Sequence, residues 1–188
     1  MQNNLKKLSG QSKTRNIVFV ALAVALISVS SWVSVPIGAV PFTLQIFAIA
    51  FMLLVLKPKQ MLAAICLYIL LGAFGLPIFS SMRGGAGVLA GPTGGFLWGY
   101  VLGVVCALLL KRIKIQNSFV KDVAVCVLFL LVTYACGWLQ LMFVSALTPL
   151  QAFLTGIAPF IVFDVIKIVF ACICAKSVRA AMKTYQNV

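Results

Sequence analysis

The sequence predicts an all-α, polytopic membrane protein: a single six-transmembrane-helix bundle over residues 1–188 with both termini cytoplasmic. Three observations lead there. Hydrophobic residues make up 63% of the chain, charged residues only 9%, and mean hydropathy is +1.16, far from the roughly 25% charge of a soluble domain. Six apolar runs are separated by prolines and turn residues. The basic residues gather between alternate runs. At 188 residues there is room for six spans of about 20 residues each and for no second soluble domain.

The elements follow in order. Residues 1–16 are polar and basic (Lys6, Lys7, Lys13, Arg15) and read as a cytoplasmic N-terminal segment. The run 17–35 is long enough to span, and no small-residue cleavage site clearly follows it, so it is a first helix rather than a signal peptide. Runs at about 44–56, 60–76, 95–110, 120–145 and 150–175 supply the other five; the second is short and must tilt or borrow from its flanks. Pro36, Pro41, Pro58, Pro77, Pro92 and Pro149 mark the breaks, since proline neither continues a helix nor lets its predecessor do so.

Thirteen of the fifteen basic residues lie before the first helix, between the second and third, between the fourth and fifth (Lys111, Arg112, Lys114, Lys121), or after the sixth (Lys176, Arg179, Lys183). The alternate loops, 36–43, 77–94 and 146–149, hold only Arg83. Positive charge marks the cytoplasmic side, which makes 77–94 a glycine-rich extracytoplasmic loop.

Several function classes drop out. The net charge of +13 is spread in small clusters and forms no basic stripe interleaved with aromatics, so no nucleic acid is expected. Cys66, Cys106, Cys126, Cys136, Cys172 and Cys174 all lie in apolar runs, and there is no histidine. Neither a zinc site nor a histidine-activated nucleophile can be assembled. The chain has two acidic residues, with Asp122 at a helix end, too few for general acid–base chemistry; it is not expected to be an enzyme. No Gly-x-x-x-x-Gly-Lys-Ser/Thr is present, so ATP has no binding loop here.

What remains are charges out of place. Asp164 and Lys167 sit in the sixth apolar run at i, i+3, on one helix face. Intramembrane charges are expensive and usually face a pathway. A self-neutralised pair that locks helix packing is the alternative. Pro159 lets the helix restart just before Asp164, placing the carboxylate in its outer half. Six glycines fall between Gly84 and Gly95, behind Arg83. Glycine lets backbone come close to a neighbour or ligand, so Arg83, Gly84 and Gly85 join the candidate binding residues; contact with lipid headgroups is the other use of that arginine. Thr43 and Gln45, where the chain re-enters the membrane, either serve the same pocket or cap the second helix. The fitting ligand is small, partly hydrophobic, anionic at one end, and carries N–H donors for Asp164.

Pro-Phe-Thr-Leu-Gln (41–45), Gly-Leu-Pro (75–77), Arg-Gly-Gly-x-Gly (83–87), Gly-Pro-Thr-Gly-Gly (91–95) and Asp-x-x-Lys (164–167) together resemble the BioY family, the biotin-specific substrate-capture (S) components of energy-coupling-factor (ECF) transporters. The resemblance implies high-affinity capture and import of biotin by a multi-pass protein of a bacterial or archaeal inner or plasma membrane. Asp164 would accept from the ureido N–H groups, Lys167 would hold Asp164 or donate to the ureido oxygen, and Arg83 is a candidate for the carboxylate. It also implies a transmembrane coupling (T) subunit docked on small residues of helix one, here Ala21 and Ala25, and a cytoplasmic ATPase pair that hydrolyses ATP. No cofactor is bound by this chain. An ion-coupled secondary transporter of a small anionic solute, with Asp164 titrating, is the rival reading.

Overall fold

The structure, a computed structural model, describes residues 2–38, 40–113 and 116–186, with side chains between residues 13 and 182. Lys114 and the side chains of Lys6, Lys7 and Lys183 lie outside those residues. The chain runs α1 (Gln2–Trp32), β1 (Ser34–Ile37), β2 (Val40–Thr43), α2 (Gln45–Val55), α3 (Pro58–Ala73), α4 (Ala86–Ala90), α5 (Gly94–Leu110), α6 (Ser118–Val144), α7 (Pro149–Gly156) and α8 (Ile161–Gln186).

All six apolar runs are helical. The Lys13–Trp32 part of α1 and the whole of α6 are long and apolar enough to cross a membrane alone, and α7 and α8, bent by 48° at their break, make a third span if taken together. The remaining apolar helices, α2, α3 and α5, are shorter. At 11 residues, α2 is only about 16 Å long at 1.5 Å per residue. It survives because it is apolar all round and is enclosed by its neighbours; Ala48, Ile49, Ala50 and Leu53 are fully buried.

The ends of the helices follow local chemistry. Pro58 occupies the first turn of α3, and the Lys57 N–H donates to Gln60 Oε1 at 3.0 Å. Lys111 Nζ donates to the Leu53 carbonyl at 2.9 Å, capping the C-terminus of α2 with a cation, as the helix dipole favours. Burial, more than nearby Arg179, holds the Lys111 ammonium below its usual pKa. Asn117 Oδ1 accepts from the N–H groups of Phe119 and Val120 at the start of α6. Arg179 pairs bidentately with Asp122, joining α8 to α6.

Three elements differ from the sequence expectation. The loop 36–43 forms a β-hairpin with Ser34 opposite Thr43 and Pro36 opposite Pro41; each strand has four residues and contains a proline, which masks the alternation that normally marks a strand. The segment 77–94 contains a 3₁₀ turn at Ser80–Met82 and the short α4. The basic tail stays helical to Gln186, about three turns beyond the apolar run, because exposed helix needs no apolar residues.

The most extensive helix pair is α5 with α6, held by a row of small residues. A Cβ on Gly99 would lie 2.8 Å from Thr133 Cα, and one on Gly103 2.8 Å from the Phe129 carbonyl oxygen. Close approach of this kind is how helices associate without a hydrophobic driving force. Gly99→Ala is therefore expected to lower the thermal unfolding midpoint in detergent, by an overpacking cost of about 1–3 kcal/mol. Gly87→Ala, whose added Cβ meets nothing within 4 Å, should leave the midpoint in place.

A candidate solute-binding cavity

A cavity opens at the end of the molecule where β2, the 77–94 segment and the α7–α8 break converge. It is lined by Phe42, Phe96, Leu97, Tyr100 and Phe160 on its apolar faces. Its polar lining comes from Thr43, Gln45, Ser80, Thr93, Tyr134, Asp164 and Lys167. Four of the residues singled out in the sequence, Thr43, Gln45, Asp164 and Lys167, thus meet at one place.

Asp164 reaches it because the chain breaks between Gly156 and Ile161, next to Pro159. The carboxylate then falls in the first turn of α8, where the helix dipole favours an anion. Its own N–H still donates to the Phe160 carbonyl at 2.8 Å. Both carboxylate oxygens are engaged: Lys167 Nζ donates to Oδ1 at 2.7 Å and Tyr134 Oη to Oδ2 at 2.6 Å. Lys167 donates again to the Thr43 carbonyl at 2.7 Å, and its nitrogen sits 3.7 Å from the centre of the Phe42 ring. Aspartate and lysine are 4% and 8% exposed, so these partners stand in for water around two buried charges.

Gln45 continues the network away from the charges. Its Nε2 donates to Tyr68 Oη at 2.7 Å, and Tyr68 donates to the Ile78 carbonyl at 3.0 Å. Ser31 Oγ reaches the same carbonyl at 2.6 Å, and Trp32 Nε1 donates to the Pro77 carbonyl at 2.8 Å. The base of the 77–94 segment is thereby strapped to α1 and α3.

The other candidates lie elsewhere. The Arg83 side chain is exposed and absent from the cavity lining; neither ion pair among the described residues involves it. Gly84 and Gly85 fold that segment back on α3. A Cβ on Gly84 would overlap the Leu76 carbonyl, and Gly85, at φ +97°, donates its N–H to the Gly72 carbonyl at 2.7 Å. Ala21 and Ala25 are exposed and line a separate apolar groove with Ser28, Leu67, Leu71 and Ile78; they do not pack inside the chain.

Comparison with known proteins identifies the family and the fold. The family description "BioY family" matches residues 1–184. The chain belongs to the BioY family. It is 42% identical over 162 residues to a Thermotoga maritima protein named biotin transporter BioY, covering 86% of this chain and 94% of the relative. It is 37% identical over 168 residues to a probable biotin transporter BioY of Pyrococcus horikoshii, covering 89% and 98%. Its fold matches the solved structure of an S-component for biotin from an ECF-type ABC transporter, with TM-score 0.83 and 24% identity over 90% of this chain and 93% of that one.

The residues of this BioY-family chain that the sequence reading passed over are the tyrosines. Tyr68, Tyr100 and Tyr134 each interrupt an apolar helix, and a buried tyrosine hydroxyl usually needs a partner. That requirement is the signal that could have drawn attention to them.

Breaking the buried pair from one side leaves an uncompensated charge, so Lys167→Met should destabilise the protein by about 3–5 kcal/mol. The double variant Asp164→Asn/Lys167→Met should recover most of that loss. Thermal unfolding of the two singles and the double in detergent checks the coupling; additive losses would count against it.

Proposed function

We propose that this chain captures biotin from the outer side of the membrane and takes part in its import as the S component of an ECF-type transporter. The observation that carries the reading is the hydrogen-bonded Asp164 carboxylate lining a cavity with aromatic and polar walls, in a chain whose relatives are named biotin transporters. The chain is a transporter and not an enzyme.

Biotin suits this lining. Its ureido ring offers N–H donors to Asp164, and its thioether ring and valeryl chain are apolar enough for Phe96, Leu97 and Phe160. Thr43 and Gln45 border the polar end, with Lys167 holding Asp164. The terminal carboxylate needs a cation. Arg83 is our candidate, since its guanidinium is exposed and outside both ion pairs, and Gly84 and Gly85 would let the loop bring it over the cavity.

The topology we propose is a single membrane domain over 1–188 with six spanning helices: α1, α2, α3, α5, α6 and the bent α7–α8 pair. Both termini, including residues 1–16, and the basic loops lie in the cytoplasm of a bacterial or archaeal cell, and 77–94 lies outside. The distribution of lysine and arginine supports this orientation. So does the placement of the cavity at the Gln45 end of α2 and of Lys111 at its other end. A transmembrane coupling subunit would dock on the groove of Ala21 and Ala25, whose small exposed side chains allow close helix approach. A pair of cytoplasmic ATPases would supply the ATP hydrolysis, so this chain needs no cofactor of its own.

Equilibrium binding of labelled biotin to the purified chain is the test. Wild-type protein should bind at micromolar biotin or below, and Asp164→Asn should weaken binding about 10- to 100-fold through loss of a charged acceptor. Arg83→Ala should cost a similar factor. Protein that leaves biotin unbound sinks the assignment. Biotin uptake driven by a pH gradient in proteoliposomes without ATPases would favour an ion-coupled transporter instead.

A further inference from the structure

Among the cavity-lining polar side chains that are at least nine-tenths buried, Tyr100 stands apart. Thr43, Gln45, Tyr134, Asp164 and Lys167 all hydrogen-bond within the protein. Tyr100 is 6% exposed and its hydroxyl has no hydrogen-bond partner among the described residues. No fully enclosed side-chain oxygen or nitrogen among those residues lacks a partner, so the Tyr100 hydroxyl must border open space, and the cavity is the space that the residue lines. Ser80 and Thr93, the other hydroxyls of the lining without a partner, are only half-buried and within reach of water.

The ring is also held firmly. It stacks on Phe129 with centroids 6.2 Å apart, and the neighbouring Gly99 locks α5 against Thr133 of α6. Tyr100 lines the same cavity as Gln45, Tyr134 and Asp164. A buried hydroxyl without a partner is costly, and a rigid one aimed at a cavity is a preorganised contact for whatever fills it.

The donor count names that contact. If the solute is biotin, as proposed above, its cyclic urea presents N–H groups to Asp164 and a carbonyl oxygen on the adjoining carbon. That oxygen needs a donor. Lys167 is poorly placed to supply one, because its ammonium already donates to Asp164 Oδ1 and the Thr43 carbonyl and lies over the Phe42 ring. We infer that the Tyr100 hydroxyl donates to the ureido oxygen and that Tyr100 is a specificity-determining residue for the urea ring, while Lys167 serves to position Asp164.

Equilibrium binding of labelled biotin and of its thiourea analogue to the full purified chain, wild type and Tyr100→Phe, tests this. The phenylalanine keeps the stacked ring and removes only the hydroxyl, so the unfolding midpoint without ligand should not fall. Biotin affinity should drop about 10-fold. The thiourea analogue, whose sulfur is a weak acceptor, should bind both proteins within about a factor of two. Unchanged biotin affinity in Tyr100→Phe overturns the contact, and an equal loss for both ligands overturns the carbonyl as its acceptor. Wild-type protein that ignores biotin overturns the assigned solute itself, an outcome distinct from either.

Discussion

A carboxylate and an ammonium three residues apart on an apolar helix are tolerable only if both are solvated by protein, and that demand organises the cavity end of this molecule. Tyr134 must come from α6, the Thr43 carbonyl from β2, and the Phe42 ring from the same strand. The hairpin is therefore more than a connection: it delivers a carbonyl to Lys167. The break at Pro159 matters as much, because it sets Asp164 in the first turn of α8. Well-packed hydrophobic residues commonly hold helices together as firmly as a buried ion pair or better. Stability alone gives little reason to keep these charges, whereas a cavity that needs a fixed anionic acceptor gives a clear one.

Holding that acceptor still requires the helices behind it to be rigid. Gly99 and Gly103 let α5 press against α6 at backbone distance, which sets Tyr100 and Tyr134 on neighbouring helices facing one cavity. The short α2 is clamped at both ends, with Gln45 hydrogen-bonded to Tyr68 near the cavity and Lys111 capping the carbonyls at the far end. A helix of this length would fray in isolation. Here its ends are pinned by side chains from α3 and from the end of α5, and Ala48, Ile49, Ala50 and Leu53 along its middle are fully buried.

Much of this was legible in the sequence, for uneven reasons. Asp164 and Lys167 stand out because any charge in an apolar run is conspicuous, and i, i+3 spacing already puts them on one face. The shortness of the second apolar run was visible by counting. Tyr134 and Tyr100 were not, since tyrosine in an apolar helix reads as core until the fate of its hydroxyl is asked. The hairpin was hidden by its prolines. Charge bookkeeping isolated Arg83, but the direction of a loop side chain depends on backbone turns, such as the positive φ at Ser81 and Met82, that no periodicity encodes. Alanine spacing on α1 is equally silent about whether Ala21 and Ala25 face a neighbour or the outside.

The cavity and the groove on α1 are not independent surfaces. Ile78 lines the groove with its side chain, while its carbonyl takes hydrogen bonds from Ser31 on α1 and Tyr68 on α3. Tyr68 in turn accepts from Gln45, which lines the cavity. Lifting the segment at Pro77–Phe79 away from α1 would break the Ser31 and Trp32 bonds, reshape the groove and release Tyr68 from its acceptor. The freed tyrosine would no longer fix the Gln45 amide. Four hydrogen bonds and one buried carbonyl thus join the groove to the cavity by a route separate from the Asp164–Lys167 pair.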